Sequence, residues 1–167
     1  MKTITRTKSF NAPKEVVFQN LDDLGVIGSH MTNSSAMMMG SKLKLTWLTQ
    51  RHNGLGSKYR WTGQMMGLTM DFTVMVTKWI ESREKIWETV GECKLILYSW
   101  YRMSLNIEPG NDGTTAHLSI TFRRPKPFLF KLLSFCFADL YCIWCLNNML
   151  GAVEMRMTEK RLHVSNA

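Results

Sequence analysis

Two patterns, in one order, leave this chain few folds. From residue 41 to 124 apolar and polar side chains alternate, and from Phe128 to Leu146 the chain is apolar at 16 of 19 positions. Alternation with a period of two marks strands that turn one face to a core. Leu43, Leu45 and Trp47 alternate with Lys42, Lys44 and Thr46, the turn RHNGLG follows, and Tyr59, Trp61 and Met65 alternate with Lys58, Arg60, Thr62 and Gln64. That predicts a hairpin. After Gly67, Leu68, Met70, Phe72, Val74 and Val76 alternate with Thr69, Asp71, Thr73 and Thr77, and Ser82-Arg83 separates this strand from Lys85–Val90. Strands are also expected over 95–107 and 114–123, on either side of the turn residues EPGNDGT. Connections this short join antiparallel neighbours, so about six strands form a meander.

Upstream, residues 2–10 carry β-branched residues that suit one more strand. Asn11-Ala12-Pro13 then reads as a helix start, with Asn11 as N-cap and Pro13 in the first turn. Val16, Val17, Leu21 and Leu24 place an amphipathic helix over 13–24, ended by Gly25 and Gly28. Residues 29–40 hold either a second short helix or a loop. Beyond Arg123-Arg124-Pro125-Lys126-Pro127, residues 128–162 read as one helix about 50 Å long. Its second half is half-exposed, with Leu146, Leu150, Val153 and Met157 in one stripe opposite Glu154, Arg156, Glu159 and Lys160. With 167 residues, 45% of them apolar, the chain suits one compact domain over 1–167 with a single core.

The apolar half of the helix has two readings. Its 19 residues span about 28 Å, close to a hydrocarbon core of about 30 Å. Ten Leu, Ile and Phe residues favour insertion by roughly 3–6 kcal/mol, and Asp139 opposes it by about 2.5–3.5 kcal/mol. The alternative is that the helix covers the apolar face of the meander, which needs a cover and has no other long apolar element to supply it. On that reading it is buried on all sides, and any leftover apolar surface suits a dimer, a membrane surface or a ligand.

A net charge of +8 makes anionic partners worth testing. Lys42, Lys44, Lys58 and Arg60 lie on the outer face of the expected hairpin with no recognition helix, finger or aromatic stacking motif, which argues against nucleic acid. Arg123, Arg124 and Lys126, beside the apolar helix, suit anionic headgroups if the protein touches a membrane peripherally. Cys142 and Cys145 form a CxxC, but their apolar surroundings make them small buried hydrophobes. His30, His52, His117 and His163 stand in separate segments, so no metal site and no cofactor is expected. The start MKTITRTKSF lacks the apolar run of a secretory signal, which gives a cytoplasmic expectation.

Several short stretches resemble one superfamily. Asn11-Ala12-Pro13 with Glu15-Val16-Val17-Phe18 is similar to its "APxEVF" start of the first helix, and Gly54–Trp61 to its "GxGxxxxW" hairpin. Val76-Thr77-Lys78-Trp79-Ile80 with Ile86-Trp87 matches its "VxxWxPxxxxxW" strand pair, with Glu81 and Ser82 in place of the usual proline turn. Gly113-Thr114-Thr115 matches its "GGT" turn before the last strand. In this order they resemble the START-like helix-grip superfamily, which includes polyketide cyclase/dehydratases, coenzyme Q-binding proteins and the birch-pollen allergen type. The resemblance implies an α+β fold: a curved antiparallel sheet of about seven strands around a long C-terminal helix, with two short helices after strand 1. It also implies a pocket between sheet and helix for a hydrophobic small molecule such as a lipid, quinone, sterol or polyketide-like compound.

Inward strand positions that would line it are Trp47, Tyr59, Trp61, Met65, Met70, Phe72, Tyr101 and Met103, joined from the helix by Phe137, Tyr141 and Trp144. Such aromatics and thioethers adapt to irregular apolar shapes, and the same residues equally suit a solid core. An enzyme of the cyclase/dehydratase type would need an acid or base. Glu88 shares a parity with Ile86 and Val90, so an inward face there places a desolvated carboxyl in the cavity, with Tyr101 as hydrogen-bond partner. With Trp87 and Thr89 inward, Glu88 is solvated instead. Asp71 and His117 fall on outward parities. A hydrophobic-ligand carrier, a cyclase-type enzyme and a membrane-attached protein anchored through 128–146 are the readings the sequence leaves open.

Overall fold

The computed structural model describes residues 1–32, 43–65, 67–111 and 113–165. Strand β1 (Lys2–Phe10) leads into helix α1 (Lys14–Asp22) and two single turns, α2 (Leu24–Ile27) and α3 (Ser29–Thr32). Strands β2 (Leu43–Trp47), β3 (Lys58–Met65), β4 (Leu68–Ile80), β5 (Glu84–Lys94), β6 (Trp100–Gly110) and β7 (Gly113–Arg123) follow, and helix α4 (Phe128–Ser165) ends the chain. All seven strands form one antiparallel sheet in the order β1-β7-β6-β5-β4-β3-β2. The expected meander is β2 to β7, and β1 closes onto its far end.

Burial follows the alternation. Met70, Phe72, Val74 and Val76 of β4, Leu105 and Ile107 of β6, and Ala116, Leu118, Ile120 and Phe122 of β7 are buried on one face. On the other face of β1 and β7 the hydroxyls of Thr3 and Thr121, and of Thr5 and Ser119, meet at 2.9 Å, and Thr7 meets the His117 ring at the same distance. Asp71 also points outward, bonded by both its oxygens to Arg60. Register shifts interrupt the β4–β5 ladder between Phe72 and Thr73 and between Val76 and Lys78. Such bulges increase the local bend and twist.

Three expectations shift locally. Asn11 is not the N-cap: Pro13 takes that position with no side-chain cap bond. The chain there is set by its neighbours, since the Ala12 N–H donates to the Phe10 carbonyl (2.9 Å) and Thr114 Oγ1 donates to the Ala12 carbonyl (2.7 Å). The 13–24 helix breaks at Asp23, which caps α2 by accepting from the Gly25 N–H at 2.9 Å. That leaves three short helices after strand 1, the third of them, α3, at the start of the 29–40 stretch where a second helix or a loop was expected; residues 33–42 lie outside the described residues. Finally, 95–99 is a bend, not a strand, and β6 begins at Trp100.

Helix α4 lies against the sheet and α1–α3. Ser134, Ala138, Cys142, Leu146, Leu150 and Val153 are buried, so the stripe expected in its second half is the packed one. Lys8 reaches Glu154 (2.5 Å), Arg156 reaches Asp23 (2.6 Å), and Lys2 pairs with Asp139. The first half departs from expectation. It is not buried on all sides: Phe128, Leu129, Leu132, Phe135, Phe137 and Leu140 are exposed. Apolar composition alone does not distinguish a helix enclosed by a sheet from one covered on a single side.

Candidate functional site

A cavity of about 70 Å³ lies between the sheet and α4. Strand periodicity supplies one wall, because residues two apart share a face: Tyr59 and Trp61 on β3, Met70 and Phe72 on β4, Tyr101 and Met103 on β6. Trp87 of β5 and Ile120 of β7 extend this wall. Helix periodicity supplies the facing wall, with Tyr141, Cys145 and Met149 one turn apart on α4. One end is closed by Leu24, Ile27, Gly28 and Met31, and the bend contributes Leu95, Ile96, Leu97 and Tyr98. Gly28 permits this closure: a Cβ there would lie 3.2 Å from the Trp61 ring and 2.6 Å from the Leu24 carbonyl oxygen.

Aromatic edges organise the interior. Phe72 and Tyr101 meet edge to face at 6.0 Å, Tyr59 and Trp61 at 6.5 Å, and Tyr98 sits 6.5 Å from Tyr101 and 6.2 Å from Tyr141. Tyr98 Oη donates to the Ala138 carbonyl at 3.2 Å and lies 3.2 Å from Cys142 Sγ, which fastens the bend onto α4. Burial pushes the phenols of Tyr59, Tyr98, Tyr101 and Tyr141 well above their ordinary range. It raises the Cys145 thiol too, and Cys142 up to about 11 against the opposing bond from Tyr98. These groups are therefore neutral near pH 7, suited to hydrogen bonding and not to acting as bases or thiolate nucleophiles. Among the described residues no carboxylate, imidazole, amine or guanidinium lines the cavity.

Seven of the residues singled out from the sequence meet here: Tyr59, Trp61, Met70, Phe72, Tyr101, Met103 and Tyr141. Others do not. Trp47 is half-buried outside the cavity, stacked on His52 at 4.3 Å, because it ends the edge strand β2. Phe137 is 54% exposed, about 100° around α4 from the buried Ala138. Trp144 packs on Tyr141 at 5.6 Å without lining the space, and the side chain of Met65 lies outside the described residues. Glu88 is corrected outright. Trp87 and Thr89 take the inward parity, so Glu88 faces outward and bonds Arg102 at 2.9 Å. It has no apolar cavity in which to act as an acid or base.

Sequence reasoning missed Leu95–Tyr98, whose only signal is that alternation stops after Lys94 in a run of four apolar residues. It also missed a buried ion pair. Lys85 Nζ lies 2.6 Å from Asp22 Oδ1 and donates to the Asp22 carbonyl at 3.2 Å, while Trp79 Nε1 donates to Asp22 Oδ2 at 3.1 Å. The Trp87 ring stands 4.9 Å from the ammonium. Burial pulls the Lys85 pKa down and the Asp22 charge opposes it. The pair ties α1 to β5 beside the cavity wall.

No family model matches the chain, and no curated protein matches it in sequence. Solved structures do match in shape. Protein TTHA0849 from Thermus thermophilus superposes with a TM-score of 0.70 at 17% identity, covering 95% of this chain and 99% of its own. Ara h 8.0201 gives 0.62 at 12% identity, over 92% and 98%. Ginseng major latex-like protein 151 from Panax ginseng gives 0.59 at 11% identity, over 93% and 96%. At these identities the likeness concerns the course of the backbone. Seven antiparallel strands in one open sheet, short helices after the first and a long C-terminal helix across one face make this an α+β helix-grip fold.

Proposed function

We propose that the protein binds an apolar small molecule in the cavity between the sheet and α4. The observation that carries this reading is the composition of the wall: aromatic rings, aliphatic chains and four methionines, with neutral phenols as its principal polar groups. Such a lining repels charge and gains by covering hydrocarbon, about 25 cal/mol for each Å² removed from water. Phenol hydroxyls offer a carbonyl or hydroxyl on the guest a directional partner.

A volume of 70 Å³ exceeds what one water needs several-fold, so the space receives a small group, or one end of a larger molecule, as it stands. Met31, Met70, Met103 and Met149 are the adjustable part of the wall, since three rotatable bonds let a thioether vacate space at small cost. A lipid-, quinone- or polyketide-like molecule would enter by displacing them. The placement of Glu88 on the outer face favours carriage over catalysis.

The test pairs native mass spectrometry with a fluorescent titration. Freshly purified protein should carry an apolar adduct or, once extracted, should bind the uncharged probe N-phenyl-1-naphthylamine with saturation. Cys145→Phe fills the space from the α4 side and should abolish both signals while leaving a cooperative unfolding transition. Undiminished binding to that variant would place the guest elsewhere and end this reading.

A further inference from the structure

The exposed half of α4 is the largest feature that the cavity does not explain. Of the eight exposed positions from Phe128 to Leu140, seven are apolar and Lys131 is the only polar one. Phe128 is 82% exposed and Phe135 69%, values typical of surface lysines rather than phenylalanines. An unbroken apolar face of this kind marks a contact surface. The opposite face is committed, because Ser134, Ala138 and Cys142 are fully buried. The helix is long and apolar enough to cross a bilayer, but crossing would strip that packed face from the sheet.

Charge identifies what covers it. Between Arg123 and Val153 stand four basic residues, Arg123, Arg124, Lys126 and Lys131, and a single acidic one, Asp139, which Lys2 neutralises. The basic residues lie at the start of the apolar face, not on its far side. Arg124 stands over the Phe135 ring at 4.6 Å, and Trp100 lies between Arg123 at 5.1 Å and Arg102 at 5.4 Å. Exposed aliphatic and aromatic groups, a tryptophan at their margin and cations beside them compose an interfacial helix on an anionic bilayer. A second copy fits less well, because it brings no free acidic residue to this segment to answer the cations: its one carboxylate, Asp139, is already paired with Lys2.

We propose that the Phe128–Leu140 face of α4 seats on an anionic lipid surface, in the plane of the bilayer and without spanning it, whether or not the cavity is occupied. The apolar side chains enter the headgroup region while Arg123, Lys126 and Lys131 meet lipid phosphates and carboxylates. Tyr98 bonds α4 at Ala138 on its packed face, so the helix that seats on lipid also holds the bend that lines the cavity.

The experiment is sedimentation of the full chain with phosphatidylcholine vesicles, with and without phosphatidylserine. The protein should sediment with the phosphatidylserine vesicles, less so as salt rises, and poorly with phosphatidylcholine alone. The double variant Lys126→Glu, Lys131→Glu should lose at least about 25-fold in affinity, at roughly fivefold for each cation removed near such a surface. Leu132→Glu should lose binding with unchanged far-ultraviolet circular dichroism. For the unmodified sequence, maleimide labelling of the exposed Cys136 should slow when phosphatidylserine vesicles are added. Absence of sedimentation with phosphatidylserine would overturn the proposal. So would a dimer in solution whose Cys136 is shielded without lipid, which assigns the face to a second copy.

Discussion

A methyl group at residue 113 would lie 2.3 Å from the Phe10 carbonyl oxygen, and its φ of +147° is one that L side chains rarely adopt. Gly113→Ala is therefore expected to cost about 1–3 kcal/mol, read as a lower urea midpoint at unchanged m-value. The GGT-like turn recognisable in the sequence thus has a steric cause: it lets the β6–β7 turn pack against the chain leaving β1. Asp23 offers a test of charge. Burial raises its pKa, but the Arg156 side chain and the N–H groups of Gly25 and Val26 outweigh that and leave it below 3.8. A lowered carboxyl pKa contributes stability above the unfolded value and loses it as pH falls through the folded one. Asp23→Asn keeps the cap and removes the ion pair, so it should be less stable by about 0.2–1 kcal/mol at pH 7. In thermal melts the difference should shrink as pH falls below the ordinary aspartate range and vanish once pH is below the lowered folded pKa. Asp22→Ala is more severe, about 3–5 kcal/mol, because it leaves the Lys85 ammonium buried without its counter-charge. No reading of the sequence reaches that pair: its members are 63 positions apart, and Lys85 alone looks like any strand-end lysine.

At the scale of elements, strands are the most legible part, since their signal is local. Parity places Tyr59, Trp61, Met70, Phe72 and Met103 on the correct face and leaves Glu88 undecided, because Trp87 and Ile86 are both apolar neighbours that can claim the core. The bend at 95–99 reads as strand because β-prone residues continue through it; only tertiary contact, Tyr98 on Ala138, decides their conformation. Helix α4 is legible in length and in its second half, where polar residues mark the outside. In the first half nothing polar marks an outside, so apolarity passes for enclosure. Thiol chemistry separates the two faces: in native protein iodoacetamide should modify Cys136 quickly and Cys142 and Cys145 only upon unfolding, as mass spectrometry of timed samples will report. Rapid labelling of Cys145 would mean that the cavity wall opens freely.

For the whole molecule, what sequence conveys is a sheet in need of a cover and a helix able to provide it; cavity volume and closure depend on contacts between all parts at once. A guest that binds only the folded chain must stabilise it, by about 2.7 kcal/mol at a hundredfold excess over its dissociation constant. A rise in Tm with added apolar compound, absent in Cys145→Phe, measures that linkage. The sheet order carries one more consequence. Within the sheet strand β1 pairs with β7, between residues 104 to 120 positions apart. As the polypeptide emerges from the ribosome, its first strand must wait about 5–20 s for a partner at ordinary rates of synthesis. Its threonines, Lys2, Arg6 and Lys8 keep that orphaned edge hydrated meanwhile, so the same residues that later pair with β7 and α4 first guard the nascent protein against aggregation.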